Sequence, residues 1–321
     1  MTLSLLMLPP QTEVYREWAR RLPADAPGVE VTVAETADEA AAGIVETEAA
    51  FGPLPRDLLA RAARLRWLQS PQAAPPAGFY YPELIAHPVV VTNMREIFND
   101  HLGHHIMALV LGFARALPRY FPQQMRGEWR PLPDDTLIHL PEATALIVGL
   151  GGIGAEAARL AAAFGITVIG TDARRKDVPE GVAEMHPPEA LDALLPRADF
   201  VILTVPHTPQ TERMMNRERF ARMRRGAVFI NIGRGMTTVL DDLVAALRSG
   251  QVGGAALDVF EVEPLPASHP LWSMPNVLIT PHMAGRGKYL NDRRYAVLRD
   301  NVRAMLSGGP LRNVVDKAHW F

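Results

Sequence analysis

The 321-residue sequence predicts an α/β protein built from two doubly wound parallel sheets. Three observations predict it. Short apolar runs alternate with helical patterns through residues 3–92, and a second such series runs from 144 to 280. A long helical pattern, Asn99–Leu117, lies between the two series and links them. The length exceeds what one core usually serves, so two domains are expected: 1–95 with 288–321, and 96–287.

In the first series, Leu3–Leu8, Val29–Val33, Glu48–Phe51, Arg66–Gln69 and Val89–Thr92 read as strands. Thr12–Leu22 and Asp38–Gly43 read as helices. No glycine fingerprint follows the first strand, so this half is not expected to hold cofactor phosphates. Pro118–Pro141 is rich in proline and turn residues and reads as loop.

In the second series, six strands are expected at Thr144–Val148, Thr167–Thr171, Phe200–Val205, Ala227–Ile232, Gly254–Leu257 and Val277–Thr280. Helical stretches lie between them at Ala155–Phe164, Ala190–Leu195, Arg217–Met223 and Asp241–Ser249. The tail Leu290–Leu306 is helical and is placed to return to the first domain.

Composition excludes several function classes. Hydrophobic residues make up 48% and charged residues 21%, an ordinary globular balance. A net charge of −2 offers no basic field for nucleic acid. There are no cysteines, so disulfides, thiolate metal sites and a cysteine nucleophile are out, which suits the cytoplasm. No apolar run reaches the ~18 residues of a membrane span. The apolar start, Met1–Pro10, lacks a basic region and a cleavage site, and reads as a buried strand.

The chemistry begins at Gly149-Leu150-Gly151-Gly152-Ile153-Gly154. This G-x-G-x-x-G run follows an apolar strand and opens an alanine-rich helix. The first glycine permits a tight turn, the second lets backbone approach a pyrophosphate, and the third lets helix pack on strand. The helix N-terminus then faces the phosphates with free N–H groups. Asp172 lies 18 residues beyond Gly154, at the tip of the next strand, where a carboxylate accepts from ribose hydroxyls. Asp172 repels a 2′-phosphate and favours NAD. Arg174, Arg175 and Lys176 follow at once and keep NADP open as the alternative.

Catalytic groups in open parallel sheets sit beyond the carboxyl ends of strands. Arg234, Glu263 and His282 emerge there, after three successive strands. Arginine's fork suits the carboxylate of an oxo acid, and histidine suits proton transfer at its carbonyl oxygen. A carboxylate beside the histidine fixes its tautomer and favours the imidazolium.

The combination resembles the D-isomer-specific 2-hydroxyacid dehydrogenases. The motifs that carry the likeness are Gly149–Gly154 with Asp172, Val205-Pro206-His207-Thr208-Pro209-Gln210-Thr211, Asn231-Ile232-Gly233-Arg234-Gly235, Ala255–Pro264 and Thr280-Pro281-His282. The resemblance implies a flavodoxin-like substrate domain beside a Rossmann dinucleotide-binding domain. It implies that Arg234 binds substrate, that Glu263 supports His282, and that His282 is the acid–base. It also implies cofactor contacts at Val205, Pro206, Ile232, Gly233, Arg234, His282 and Asp258, the last near the nicotinamide amide. A homodimer joined through the cofactor domains is implied as well. The expected reaction reduces a small 2-oxo acid, such as glyoxylate, hydroxypyruvate or a bulkier one, to a D-2-hydroxy acid.

Two segments depart from the family pattern. The substrate-carboxylate loop reads Ser70-Pro71-Gln72-Ala73-Ala74-Pro75-Pro76-Ala77-Gly78, where prolines remove donors but Ala73 and Ala74 keep theirs. Leu102-Gly103-His104-His105 stands where members often carry an acid.

Plainer readings apply elsewhere. His101, His104 and His105 share a helical face but have no carboxylate cluster beyond Asp100, so no metal is expected. Phe79-Tyr80-Tyr81 is either pocket lining or core, and His207 is either a cofactor contact or a surface residue. Glu261 rivals Glu263. Tyr289, Arg293 and Arg294 follow His282 and read either as solvated helix residues or, for one arginine, as a substrate contact, and Trp320-Phe321 reads as an apolar terminus that packs. Two competing functions remain. A dinucleotide-sensing corepressor-like protein would bind cofactor without turnover. A formate- or phosphite-type dehydrogenase would need a different pocket.

Overall fold

The computed structural model describes residues 2–73 and 78–318. The chain divides into two units, one running to Ile97 and resuming at Gly287, the other spanning Phe98–Arg286.

In the first unit, Leu3–Met7 (β1), Val29–Val33 (β2), Ala49–Phe51 (β3), Trp67–Gln69 (β4) and Val90–Thr92 (β5) form one parallel sheet. Its order, β2-β1-β3-β4-β5, is the flavodoxin-like arrangement. Helices α1 (Glu13–Asp25) and α2 (Ala37–Gly43) are each started by a threonine. Thr12 Oγ1 accepts from Tyr15 N at 3.2 Å, and Thr36 Oγ1 from Glu39 N at 3.2 Å. Two short helices escape the sequence reading, α3 (Arg56–Leu59) and α4 (Pro82–Ala86). Each is a single turn, too short to show a 3.6-residue period. Tyr80 and Tyr81 belong to this unit's core, and the Tyr81 hydroxyl donates to Leu54 O at 2.8 Å. Burial pushes both phenols up to about 12.

The second unit opens on α5 (Asn99–Ala114). A second helix, α6 (Leu117–Met125), then occupies part of the stretch read as loop. Pro118 sits in its first turn, where a missing N–H costs nothing, and Pro122 leaves one bond unmade. Seven parallel strands follow: β6 (Thr144–Val148), β7 (Thr167–Thr171), β8 (Glu184–His186), β9 (Phe200–Leu203), β10 (Ala227–Asn231), β11 (Val252–Leu257) and β12 (Val277–Ile279). Their order is β12-β11-β10-β9-β6-β7-β8. This is the Rossmann order with one further strand, β12, at its far edge. The expectation of six strands is corrected to seven. The missed strand, β8, is three residues long at the sheet edge, and none of its residues is fully buried, so no apolar run marks it. Interleaved helices are α7 (Gly152–Ala163), α8 (Leu191–Leu194), α9 (Arg217–Arg222) and α10 (Leu240–Arg248). Leu146, Val201, Phe229 and Leu257 form one core face of this sheet, and Ala145, Ile147, Ile202 and Ile230 the other. Near-continuous apolar strands are what burial on both faces demands.

From Gly287 the chain rejoins the first unit as α11 (Leu290–Ser307). The Tyr295 ring lies 6.0 Å from that of Trp18, and the Arg21 guanidinium stands 4.2 Å over it. Buried Asn301 donates to Gln69 Oε1 at 3.0 Å and accepts from Arg312 N at 2.7 Å.

Candidate active site

The turn after β6 explains its own glycines. Gly149 has φ +99°, and a Cβ on Gly154 would stand 1.9 Å from Gly149 O. Only glycine permits that approach of helix to strand. A Cβ on Gly151 would meet nothing within 4 Å, so the turn faces open space at its midpoint. Together, Gly151–Gly154 and the first N–H groups of α7 make a cradle into which a pyrophosphate fits. Ile153 is half-buried and packs against the core beneath this turn.

At the tip of β7, Asp172 Oδ1 accepts from Arg174 N and Arg175 N, each at 2.8 Å. The acid therefore folds the basic turn that follows it. The Arg175 side chain donates to Asp177 Oδ2 at 2.9 Å. Across the sheet, Val205 and Pro206 leave the end of β9 half-buried and exposed respectively, and Ile232 and Gly233 are buried just past β10.

Arg234 follows β10 on a turn built by Asn231. The fully buried Asn231 side chain donates to Arg234 O, Thr237 Oγ1 and Thr238 Oγ1 at 3.0–3.2 Å, and accepts from Gly233 N at 3.0 Å. The guanidinium donates to Gly233 O at 2.6 Å. Burial lowers the Arg234 pKa from its ordinary value, and the charge of Glu263 acts against that shift.

Beyond β11, Glu263 Oε1 accepts from Phe260 N at 3.0 Å, which aims Oε2 at His282 Nδ1, 2.7 Å away. The rival Glu261 is committed elsewhere. It accepts from Leu240 N at 3.1 Å and from Arg213 at 3.3 Å. His282 follows β12 with φ +49° and remains half exposed. Asp258, 1% exposed, lies under that turn. Its carboxylate accepts from Thr280 Oγ1 at 2.6 Å, Met283 N at 2.9 Å and Ala284 N at 3.0 Å.

His101 lies 3.3 Å from Arg286 O through Nδ1, and His105 contacts Thr280. No group of three metal-binding side chains occurs among the described residues. His207 pairs with Glu212 at 3.7 Å on an exposed loop. In the first unit, Ala73 O accepts from Asn93 Nδ2 at 3.0 Å. Ala74 and Trp320-Phe321 lie outside the described residues. Tyr289 is exposed, but Arg293 and Arg294 are half-buried rather than solvated, and Arg293 donates to Ile97 O at 2.9 Å. Sequence reasoning gave no individual role to Asn231 or Thr280, because their partners are fixed only by the fold. Among the described residues, no helix is long and apolar enough to cross a membrane.

The family described as D-isomer specific 2-hydroxyacid dehydrogenase, NAD binding domain, matches residues 107–284. The chain belongs to this family. Its members are NAD(P)-dependent oxidoreductases on CH–OH donors, and the second unit carries their Rossmann domain. A family structure from Xanthobacter autotrophicus, in complex with NADPH and MES, is 32% identical over 100% of both chains, with a TM-score of 0.86. The NADPH-dependent glyoxylate/hydroxypyruvate reductase of Sinorhizobium meliloti, in complex with NADP and sulfate, is 30% identical over 100% of both chains, with a TM-score of 0.82. Glyoxylate/hydroxypyruvate reductase A of Yersinia enterocolitica is 38% identical over 183 residues, 57% of each protein. Glyoxylate/hydroxypyruvate reductase B of Citrobacter koseri is 35% identical over 245 residues, 74% of each. The match thus spans little more than half the length of the Yersinia relative, and 43% of a Methanocaldococcus jannaschii D-3-phosphoglycerate dehydrogenase.

Proposed function

We propose that this protein reduces a small 2-oxo acid, of the glyoxylate or hydroxypyruvate class, to the D-2-hydroxy acid in the cytoplasm. The observation that carries the reading is the His282–Glu263 pair at 2.7 Å, with Arg234 on the adjacent strand end. A bound nicotinamide supplies the hydride. Arg234 holds the substrate carboxylate through its fork and polarises the neighbouring carbonyl. His282 gives its proton to the carbonyl oxygen as C2 becomes tetrahedral, and takes it back in the reverse direction. Glu263 keeps the proton on Nδ1 and steadies the charged ring. Val205, Pro206, Ile232, Gly233 and Asp258 complete the cofactor-facing set beside Gly149–Gly154.

For the cofactor, we depart from the sequence expectation of NAD and favour NADP. Asp172 Oδ1 is engaged by two backbone N–H groups, so the acid shapes the turn that presents Arg174. The relatives in complex with NADPH and NADP support the same choice. The protein is further read as a homodimer joined through the cofactor units. Leu117, Phe121 and Met125 recur every fourth residue along α6, and Trp129 beyond it is 100% exposed. An apolar stripe of that kind suits a second copy.

The test is oxidation of NADH and NADPH, in parallel, by purified protein given glyoxylate, hydroxypyruvate, pyruvate, phenylpyruvate and 2-oxoisocaproate. Turnover of at least one acid with a D product supports the reading. Tight cofactor binding with no turnover of any acid favours a dinucleotide sensor instead.

A further inference from the structure

We propose that His105 is a positioning residue for the acid–base, acting on His282 through Thr280 and Asp258. The inference rests on the oxo-acid reductase reading and adds a part to that site.

His282 sits on an exposed turn with backbone φ +49°, a conformation that a non-glycine residue adopts only when its surroundings impose it. Asp258 provides that constraint. Its main-chain oxygen accepts from His282 N at 2.9 Å, while its carboxylate takes the N–H groups of Met283 and Ala284. The aim of the His282 ring therefore follows the orientation of the Asp258 carboxylate.

That orientation is set from α5. Thr280 Oγ1 donates to Asp258 Oδ1 at 2.6 Å, a short bond to a carboxylate. His105 Nε2 lies 3.1 Å from the same Thr280 oxygen but 4.0 Å from Asp258 Oδ1, so its contact runs through the hydroxyl. A hydroxyl has one proton. With that proton given to Asp258, His105 must be the donor, which assigns its proton to Nε2. His105 thereby removes the alternative in which Thr280 turns its proton away from the carboxylate. A relay of this kind strengthens each bond in it. The mounting is rigid. Ile106, Leu109 and Val110 bury α5, and a Cβ on Gly103 would reach Glu156 at 2.9 Å, which shows how closely α5 and α7 pack. Burial lowers the His105 pKa, with Asp258 opposing, which suits a neutral ring with one donor.

The experiment compares His105→Phe, His105→Gln and Thr280→Val in the full-length protein. Phe keeps the bulk and removes the donor, whereas the Gln amide reaches the Nε2 position with an N–H. His105→Phe and Thr280→Val are expected to lower kcat roughly 10- to 100-fold, as small misplacement of a catalytic group does. KM for the cofactor is expected to rise too, since Asp258 belongs to the proposed cofactor-facing set, but by a smaller factor than kcat falls. His105→Gln should restore most of kcat. In histidine-labelled protein the His282 ring resonance should move in His105→Phe and return in His105→Gln. Wild-type kcat and an unmoved His282 resonance in His105→Phe would overturn the proposal. So would equal losses in the Gln and Phe variants, which assign the position to packing alone. If wild-type protein turns over no 2-oxo acid, the reductase reading falls, and the His282 resonance still decides whether His105 positions that ring.

Discussion

At the scale of single residues, the proposed site rests on three side chains whose neighbours are already committed. Glu263 divides its carboxylate between Phe260 N and His282, so the histidine's tautomer is assigned before substrate arrives. Arg234 is drawn toward the neutral form by burial yet retains its charge, as a guanidinium does. On the proposed NADP reading, Arg174 is the residue that meets the 2′-phosphate. Arg174→Ala should raise KM for NADPH by about tenfold, the loss of one charge-assisted bond to a 2′-phosphate. KM for NADH should change little, and equal effects on both cofactors would place Arg174 away from that phosphate. His105 makes a pH prediction. Its folded pKa lies below the ordinary value of about 6.5. The unfolded chain therefore takes up the proton first as pH falls. The stability contribution is present above about 6.5 and is lost as pH drops through the lowered folded value. The Tm difference between acid and neutral pH should shrink in His105→Gln. These roles were unevenly legible. Arg234, Glu263 and His282 announce themselves by type and by place after strands. His105 does not, because its partner Thr280 is 175 residues away and only the fold joins them.

At the scale of elements, the glycine turn between β6 and α7 is tightly constrained. Gly154→Ala would drive a Cβ into Gly149 O, so the turn must open. We expect a loss of about 2 kcal/mol or more in stability together with loss of cofactor binding, read by thermal melting and by fluorescence titration. Cofactor affinity at the wild-type level would mean that the phosphates sit elsewhere. This element could be read from sequence because three requirements coincide: an apolar strand, spaced glycines and an alanine-rich helix. By contrast, β8 passed unnoticed because an edge strand of three half-buried residues has no apolar signature. In α6, prolines suggested loop although their positions leave the helix almost intact. Proline content misleads when its place within a turn is unknown.

At the scale of the whole molecule, the chain leaves the first unit at Ile97, builds the seven-stranded unit, and returns at Gly287. The helical tail could be seen in the sequence, and its attachment is now visible in Tyr295 on Trp18 and Asn301 on Gln69. A homodimer through α6 predicts that Phe121→Asp combined with Trp129→Ser yields monomers in sedimentation velocity. A dimer that survives those changes would be built on another face. In the proposed reaction His282, held by Glu263, passes the proton while hydride reaches C2 of a 2-oxo acid. The most direct measurement is steady-state oxidation of NADPH with hydroxypyruvate and glyoxylate, wild type against His282→Ala. The prediction is clear turnover in the wild type and a fall in kcat of roughly 10²–10⁴-fold in the variant, with cofactor binding retained. Near-equal turnover by the two proteins would contradict it.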